Sequence, residues 1–191
     1  MSELPLFPLP TVLFPDGLLA LRVFEPRYLD MVARSLRGAN RFGVVAIREG
    51  AEVGAATTYD CGTSAEIVDW HQEPGGLLGI LAAGREPFRL LATRRERDGL
   101  YVGSVAWLDR VPPRSLAPAH EPLVALLKRL IEPIPTYRGV ATSFEDAGWV
   151  GGRLVELLPL ELTLKQSLLE TSDPIARLDR LAAALKHTLS G

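Results

Sequence analysis

The chain has 191 residues, 47% of them apolar, a net charge of −2 and a single cysteine, Cys61. A chain of this size buries about 70% of its unfolded surface without disulfides or metals, and one cysteine closes no internal disulfide. With the chain split after Arg114, acids outnumber bases by one in each part, so neither part has the positive excess that draws a phosphate backbone, and nucleic acid is disfavoured as a partner.

The opening stretch, LPLFPLPTVLFPDGLLALRVFEPRYLDMV (Leu4 to Val32), is apolar enough to raise the question of export or membrane insertion. Glu3 stands where a signal peptide needs positive charge, and Pro5, Pro8, Pro10 and Pro15 break the apolar run. A membrane helix needs about 20 mostly apolar residues, far more than the unbroken run from Leu18 to Leu21. The stretch therefore reads as folded core, the membrane is excluded as its destination, and the cytoplasm is the expected compartment.

In chain order, Leu4 to Phe7 and Leu18 to Val23 predict short strands around a Pro15-Asp16-Gly17 turn, with Gly17 expected to supply the positive φ. Glu25 and Pro26 mark a helix start, and Leu29, Val32, Ala33 and Leu36 recur at helical spacing until Gly38. Further strands are predicted at Phe42 to Ile47, Val53 to Thr58, Ala65 to Trp70, Leu77 to Ala82, Pro87 to Thr93 and Tyr101 to Leu108. Turn signals such as Asp60-Cys61-Gly62 and Gly84-Arg85-Glu86 separate them. Many short strands at close spacing suggest a barrel or sandwich.

After the Pro-rich joint RVPPRSLAPAHEP (Arg110 to Pro122) the period becomes helical. Leu123, Leu126, Leu127, Leu130 and Ile131 form one stripe. Phe144 to Leu158 predicts a second helix, weakened by Gly148, Gly151 and Gly152 at about 1 kcal/mol each relative to Ala. Leu160 to Glu170 gives a third. Asp173-Pro174 opens a last one whose Ile175, Leu178, Ala182, Leu185 and Leu189 form an inward seam.

Motifs for chemistry are missing. No G-x-x-x-x-G-K-[ST] occurs, and GGLLG (Gly75 to Gly79) lacks the dinucleotide spacing. HEPLV (His120 to Val124) has Val124 where a zinc protease needs its second histidine, which leaves a polar helix start. His71 and His187 are isolated. Cys61 with His71 is the one nucleophile pair to weigh, against the favoured reading of Cys61 as a small buried residue. Ser104 in VGSVA lacks the flanking glycines of a nucleophile elbow. Lys165 and Ser167 stand two apart on a helix and point away from each other. Glu145 and Asp146 read as helix-start acids. Trp70, Tyr101, Trp107 and Phe88, on strands, are expected in the core. Tyr137, Phe144 and Trp149, in PTYRGVATSFEDAGWVGG, are candidates for a partly exposed apolar surface that binds a partner.

The opening stretch resembles the start of the Lon protease N-terminal (LON substrate-binding) domain, in which a LPLFPL…V.FPG..L.L.IFE.RY..M pattern recurs. The likeness continues through RFGVVAIREG (Arg41 to Gly50), EVGAATTYD (Glu52 to Asp60), FRLL (Phe88 to Leu91) and LKQSLLETSDPIARLDRL (Leu164 to Leu181). The resemblance implies an α+β fold: a PUA-like β-barrel of short, mostly antiparallel strands with one inserted helix over residues 1–113, then a helical subdomain over 114–191. In the family fingerprint Phe24, Glu25, Pro26, Arg27 and Tyr28 are expected to be structural, with Pro26 starting the helix and a Glu25 to Arg27 contact or a backbone cap fixing the corner.

In full-length Lon this region precedes ATPase and Ser-Lys protease modules and helps select protein substrates. The resemblance thus implies a standalone bacterial LON-domain protein with no catalytic residue, metal or cofactor. It would bind unfolded or degron-bearing polypeptides through Tyr137, Phe144 and Trp149, as an adaptor to a protease. Two alternatives stay open, an RNA-binding PUA-like protein and a small hydrolase with an unrecognised site. Oligomeric state is not legible.

Overall fold

The computed structural model describes residues 2–38, 41–51 and 56–189. The chain divides into two compact units, Met1–Arg110 and Val111–Gly191, parting just before the Pro112-Pro113 joint.

The first unit contains β1 (Ser2–Leu9), β2 (Leu18–Val23), α1 (Pro26–Arg37), β3 (Arg41–Gly50), β4 (Ala56–Gln72), β5 (Leu78–Arg95) and β6 (Tyr101–Trp107). The strands form one sheet in the order β2-β5-β4-β3-β1-β6. Strand β6 also pairs with β5, so the pairing runs from β5 through β4, β3, β1 and β6 back to β5. Among the described strands β1 and β3 are the one parallel pair; they are joined through β2 and α1, as parallel neighbours require a crossover.

The prolines that excluded a membrane helix are accommodated inside β1. A proline has no N–H for a sheet ladder. Strand β1 pairs with β6 over Ser2 to Leu6 and with β3 over Leu6 to Leu9. Pro5 therefore has a neighbour only on the β6 side and Pro8 only on the β3 side, which leaves each an open side for the missing donor.

Four strands were expected where two long ones occur. The segments around Ala65 to Trp70 and Thr58 are one strand, β4, and those around Leu77 to Ala82 and Pro87 to Thr93 are one strand, β5; Val53 to Ala55 lie outside the described residues. Register shifts at Thr63/Ala65, Ile67/Asp69 and Leu90/Ala92 mark irregularities of the bulge type. A bulge bends and twists a strand without ending it. Strand β5 can thereby pair with β2 along Leu78 to Ala83 and with β6 along Phe88 to Arg95. Gly62, read as a turn residue, lies in β4 because backbone passes close: a Cβ there would stand 2.4 Å from the Val44 carbonyl oxygen.

Both faces of the sheet are covered, by period-two alternation. Phe7, Leu9, Phe42, Val44, Ala65, Ile80 and Ala82 pack with Tyr28, Met31 and Val32 of α1. Leu4, Leu6, Val45, Phe88 and Val105 fill the opposite face. There Gly43 and Gly103 make room, since a Cβ on Gly43 would lie 2.8 Å from the Phe88 ring and one on Gly103 2.6 Å from Leu90. Helix α1 is rotated from its expected seat: Tyr28, Met31, Val32 and Ser35 are buried, and Leu36 is exposed. In the Pro15-Asp16-Gly17 turn it is Asp16 that takes the positive φ, 62°, a conformation aspartate tolerates better than most residues. Its carboxylate pairs with Arg110.

The second unit holds α2 (Glu121–Ile131), α3 (Ala147–Leu157), α4 (Leu162–Leu169) and α5 (Pro174–Leu189). Helix α3 is buried on all sides, from Ala147 through Val155 apart from Gly148, which marks a central helix. Gly151 lets α5 approach: a Cβ there would meet Arg177 Cδ at 3.4 Å and Leu178 Cδ2 at 3.5 Å. Asp146 caps α3, accepting from the Gly148 N–H at 3.0 Å, and Asp173 accepts from the Ile175 N–H at 2.9 Å at the start of α5. The buried face of α5 is Pro174, Arg177, Leu178 and Leu181. Of the expected seam only Leu178 is fully buried; Ile175, Ala182 and Leu185 are half-buried, and the side chain of Leu189 is outside the described residues.

Candidate functional site

The three aromatics proposed for a binding surface do not form an open one. Tyr137 and Trp149 are each only 8% exposed and Phe144 is half-buried. Phe144 and Trp149 meet edge to face with ring centroids 5.3 Å apart, and Lys128 Nζ lies 5.0 Å from the Phe144 ring centre. The flanking glycines do not expose Trp149, because it sits in the buried run of α3 over residues 149–155. Tyr137 is held in a turn of 3₁₀ helix, Pro135–Tyr137. Its hydroxyl is buried with no hydrogen-bond partner among the described residues. Burial, reinforced by the charge of Glu156, pushes its pKa up to about 12.

Around Tyr137 the helical unit carries charges inside. Arg153 is fully buried and forms a two-pronged pair with Glu156, Nε to Oε2 at 2.6 Å and Nη2 to Oε1 at 2.9 Å. The K-Q-x-L-L-E segment and Arg177 supply what the ends of two short helices lack, donors for their last carbonyls. Lys165 Nζ donates to the Glu156 carbonyl at 3.1 Å near the end of α3. Arg177 donates from Nε to the Leu168 carbonyl at 2.9 Å and from Nη2 to the Thr171 carbonyl at 2.7 Å, at the end of α4. Gln166 Nε2 donates to Glu170 Oε1 at 2.7 Å. Desolvation lowers the pKa of Lys165 and brings that of Arg177 down to about 10.

The fingerprint residues converge at the corner where β2 meets α1. Glu25 Oε2 lies 2.8 Å from Arg27 Nη2, and Arg27 Nη1 donates to the Gly99 carbonyl at 3.0 Å. The Arg27 guanidinium lies over the Tyr28 ring at 4.6 Å, and that ring stacks on Phe7 with centroids 4.0 Å apart. Glu25 makes no side-chain cap; its carboxylate pairs with Arg27 while its backbone carbonyl accepts from the Tyr28 and Leu29 N–H groups, each at 3.0 Å. Phe24 differs from the other four by being 55% exposed. Glu25, Pro26, Arg27, Arg95 and Asp98 line a shallow polar cleft of about 230 Å³ here.

The nucleophile candidates are not brought together. Cys61 and His71 stand ten residues apart on the same strand, about 33 Å along it at ~3.3 Å per residue; Cys61 is buried and His71 Nε2 lies 3.4 Å from Glu73. Lys165 and Ser167 take different partners, Ser167 Oγ donating to the Leu164 carbonyl at 3.1 Å. No group of three or more His, Cys, Asp or Glu able to hold a metal occurs among the described residues. His120, read as a polar helix start, is buried, with Nε2 2.7 Å from Asp179 Oδ1 on α5. No local signal links residues 59 positions apart in sequence.

Most of the exposed large apolar side chains lie on the sheet unit, with Val111 and Val140 in the helical one, and they include tryptophans expected in the core. Trp70 is 54% and Trp107 43% exposed, whereas Phe88 is buried. Trp70 stands in register with Ile80 and so on the α1 face, and it lies beyond the Arg41–Glu66 pair, the last described pair of β3 with β4. Trp107 packs edge-on against Phe88 at 6.2 Å at the end of β6. Phe24 follows Val23, whose partner Leu78 also pairs with Gln72, so Phe24 and Trp70 stand at one end of the β2-β5-β4 section. Val68, at the register shift before Asp69, is exposed as well. No described helix is long and apolar enough to cross a membrane.

Comparison with known proteins gives a family for this architecture. The chain is 38% identical to the Lon N-terminal domain protein from Xanthomonas campestris, whose crystal structure it matches with a TM-score of 0.77 over 96% of this chain and 98% of that one. The N-terminal domain of Mycobacterium avium complex Lon protease shares the fold, at 16% identity and a TM-score of 0.63. Lon protease 2 of Myxococcus xanthus is 29% identical over 186 residues, and Lon protease of Anaeromyxobacter dehalogenans 28% over 190. The chain spans 22% of the length of each of these two proteases. The profile of the ATP-dependent protease La (LON) substrate-binding domain matches residues 3–187, and the chain belongs to that family.

Proposed function

We propose that this chain is a non-catalytic polypeptide-recognition module of the cytoplasm, binding unfolded or degron-bearing segments and delivering them to a protease as an adaptor. The observation that carries the reading is the substrate-binding domain profile, which matches almost the whole chain. The separation of Cys61 from His71 and of Lys165 from Ser167 favours binding over hydrolysis. The cycle of strand pairings, with Gly43, Gly62 and Gly103 facing large side chains, supports the PUA-like β-barrel reading, because a barrel of few strands has room for few large interior residues.

The binding surface moves in this reading from Tyr137, Phe144 and Trp149 to the accessible apolar side chains Phe24, Val68 and Trp70 of the sheet unit. Fluorescence anisotropy with a reduced, carboxymethylated client and its folded counterpart tests recognition directly: preference for the unfolded form is expected, and equal affinity for both would end the proposal. Trp70→Ala should weaken that binding while changing stability by less than about 1 kcal/mol. Trp149→Ala should cost about 3–5 kcal/mol of stability, as removal of a buried aromatic does.

A further inference from the structure

We infer that the far end of β4, Asp69 to Gln72, is an edge that receives an extended polypeptide carrying apolar residues and a basic one, with Asp69 as the group that guards and then reads it. The inference deepens the recognition reading and rests on it, naming the partner's chemistry and the way it is held.

The hydrogen-bond phase of the β4–β5 hairpin sets this edge. Glu73 N–H donates to the Leu77 carbonyl at 2.8 Å, and hydrogen-bonded pairs alternate with non-bonded pairs in an antiparallel ladder. The His71–Gly79 pair is therefore in the bonded phase, and Trp70 and Gln72 turn their N–H and C=O groups away from β5. On that side the Arg41–Glu66 pair is the last described pair of the β3–β4 ladder, and from Asp69 onward no described strand lies alongside. A row of backbone donors and acceptors at a sheet edge is complementary to one thing above all, another extended backbone.

Side chains narrow the partner further. Trp70 lies on the α1 face and is 54% exposed, so the incoming strand gains by presenting apolar groups on that face, and Val68, at the adjoining register shift, is 47% exposed as well. Asp69 points to the opposite face, by alternation. Of the three carboxylates on this stretch, Glu66 pairs with Arg85 and Glu73 with Arg22, whereas Asp69 has no cation within ion-pair distance among the described residues. Its Oδ1 instead accepts from the Trp70 N–H at 2.8 Å, which occupies the first donor of the edge. A basic side chain on the partner would draw the carboxylate off that N–H and free it for a partner carbonyl. A segment without the cation would leave the donor covered, so one residue both blunts the edge and selects for charge.

The test uses the full chain and a synthetic peptide alternating valine with lysine. Three relatives of it are needed: one with glutamate for lysine, one with alternate amides N-methylated, and one of scrambled order. Anisotropy should show the parent peptide binding at least about tenfold more tightly than the acidic or N-methylated forms, a difference of ~1.4 kcal/mol. Asp69→Lys, at an exposed position, should reverse the charge preference with unchanged thermal stability. Amide exchange of Trp70 and Gln72 should slow on binding. If an unfolded client binds while N-methylation, charge and Asp69→Lys make no difference, the edge proposal falls and the recognition reading stands. If neither client nor peptide binds, both fall.

Discussion

The two units bury their residues by different means. In the sheet unit the buried polar and charged side chains, Arg27, Ser35, Thr63 and Ser64 among the described residues, are set in a much larger apolar core, and other charged groups gather at strand ends and hairpins, as in the Arg94 pairs with Glu3 and Glu96. The helical unit takes Arg153 and Arg177 inside. Backbone groups paired within the strand ladders need no side-chain partners. Short helices leave carbonyls open at each C-terminus, and where those ends are buried a long cationic side chain is an economical donor. Lys165 and Arg177, in the C-terminal segment that resembles the family, are such donors.

The largest effect that separates the units is expected at Glu156. Glu156→Ala leaves the buried Arg153 without its carboxylate and should cost about 3–5 kcal/mol in a denaturant titration. A loss under ~1 kcal/mol would mean that the helical unit does not depend on its internal charges. Next comes the sheet unit's own weak point: Gly62→Ala places a methyl against the Val44 carbonyl, and about 2–3 kcal/mol of destabilisation is expected from the overpacking. Were the variant as stable as the parent, the strands would not be pinned at that separation.

A third comparison uses pH. The Tyr137 pKa is raised from 10.0 to about 12, so the folded state holds its proton more tightly than the unfolded one. The associated stability is complete below about pH 10 and is lost as pH rises toward 12, by up to ~2–3 kcal/mol. Tyr137→Phe removes this loss, and its thermal unfolding should fall less steeply than the parent's across pH 10–12. The opposite contribution of Arg177, whose pKa is lowered, favours folding as pH rises and is shared by both proteins. Parallel profiles would place the Tyr137 hydroxyl in contact with water. The smallest effect is a gain: Thr63 is fully buried and its hydroxyl has no partner among the described residues, so Thr63→Val should stabilise by about 1 kcal/mol.

Much of this architecture is legible in the residues. The change from strand to helix near Pro112-Pro113, the start of α1 at Pro26 and the family likeness of the opening stretch follow from local patterns, and the LON expectation is borne out. The site is less legible. Burial of Trp149 and exposure of Trp70 run opposite to expectation, because a residue's element does not say which neighbours reach it. Trp149 gains cover from helices packed around α3, whereas Trp70 lies beyond the last described pair of β3 with β4.

What the sequence by itself determined is therefore the set of elements and their apolar faces, properties of residues near one another along the chain. Proline spacing, turn residues, capping aspartates and helical periods all act within a few positions. Only the tertiary structure decided that β4 and β5 run through their glycines as long bent strands, that α1 and α5 turn different residues inward than their hydrophobic periods suggest, and that His120 meets Asp179. Each of those outcomes depends on groups far apart in sequence, such as a carbonyl that needs a donor, and local propensity carries no record of them.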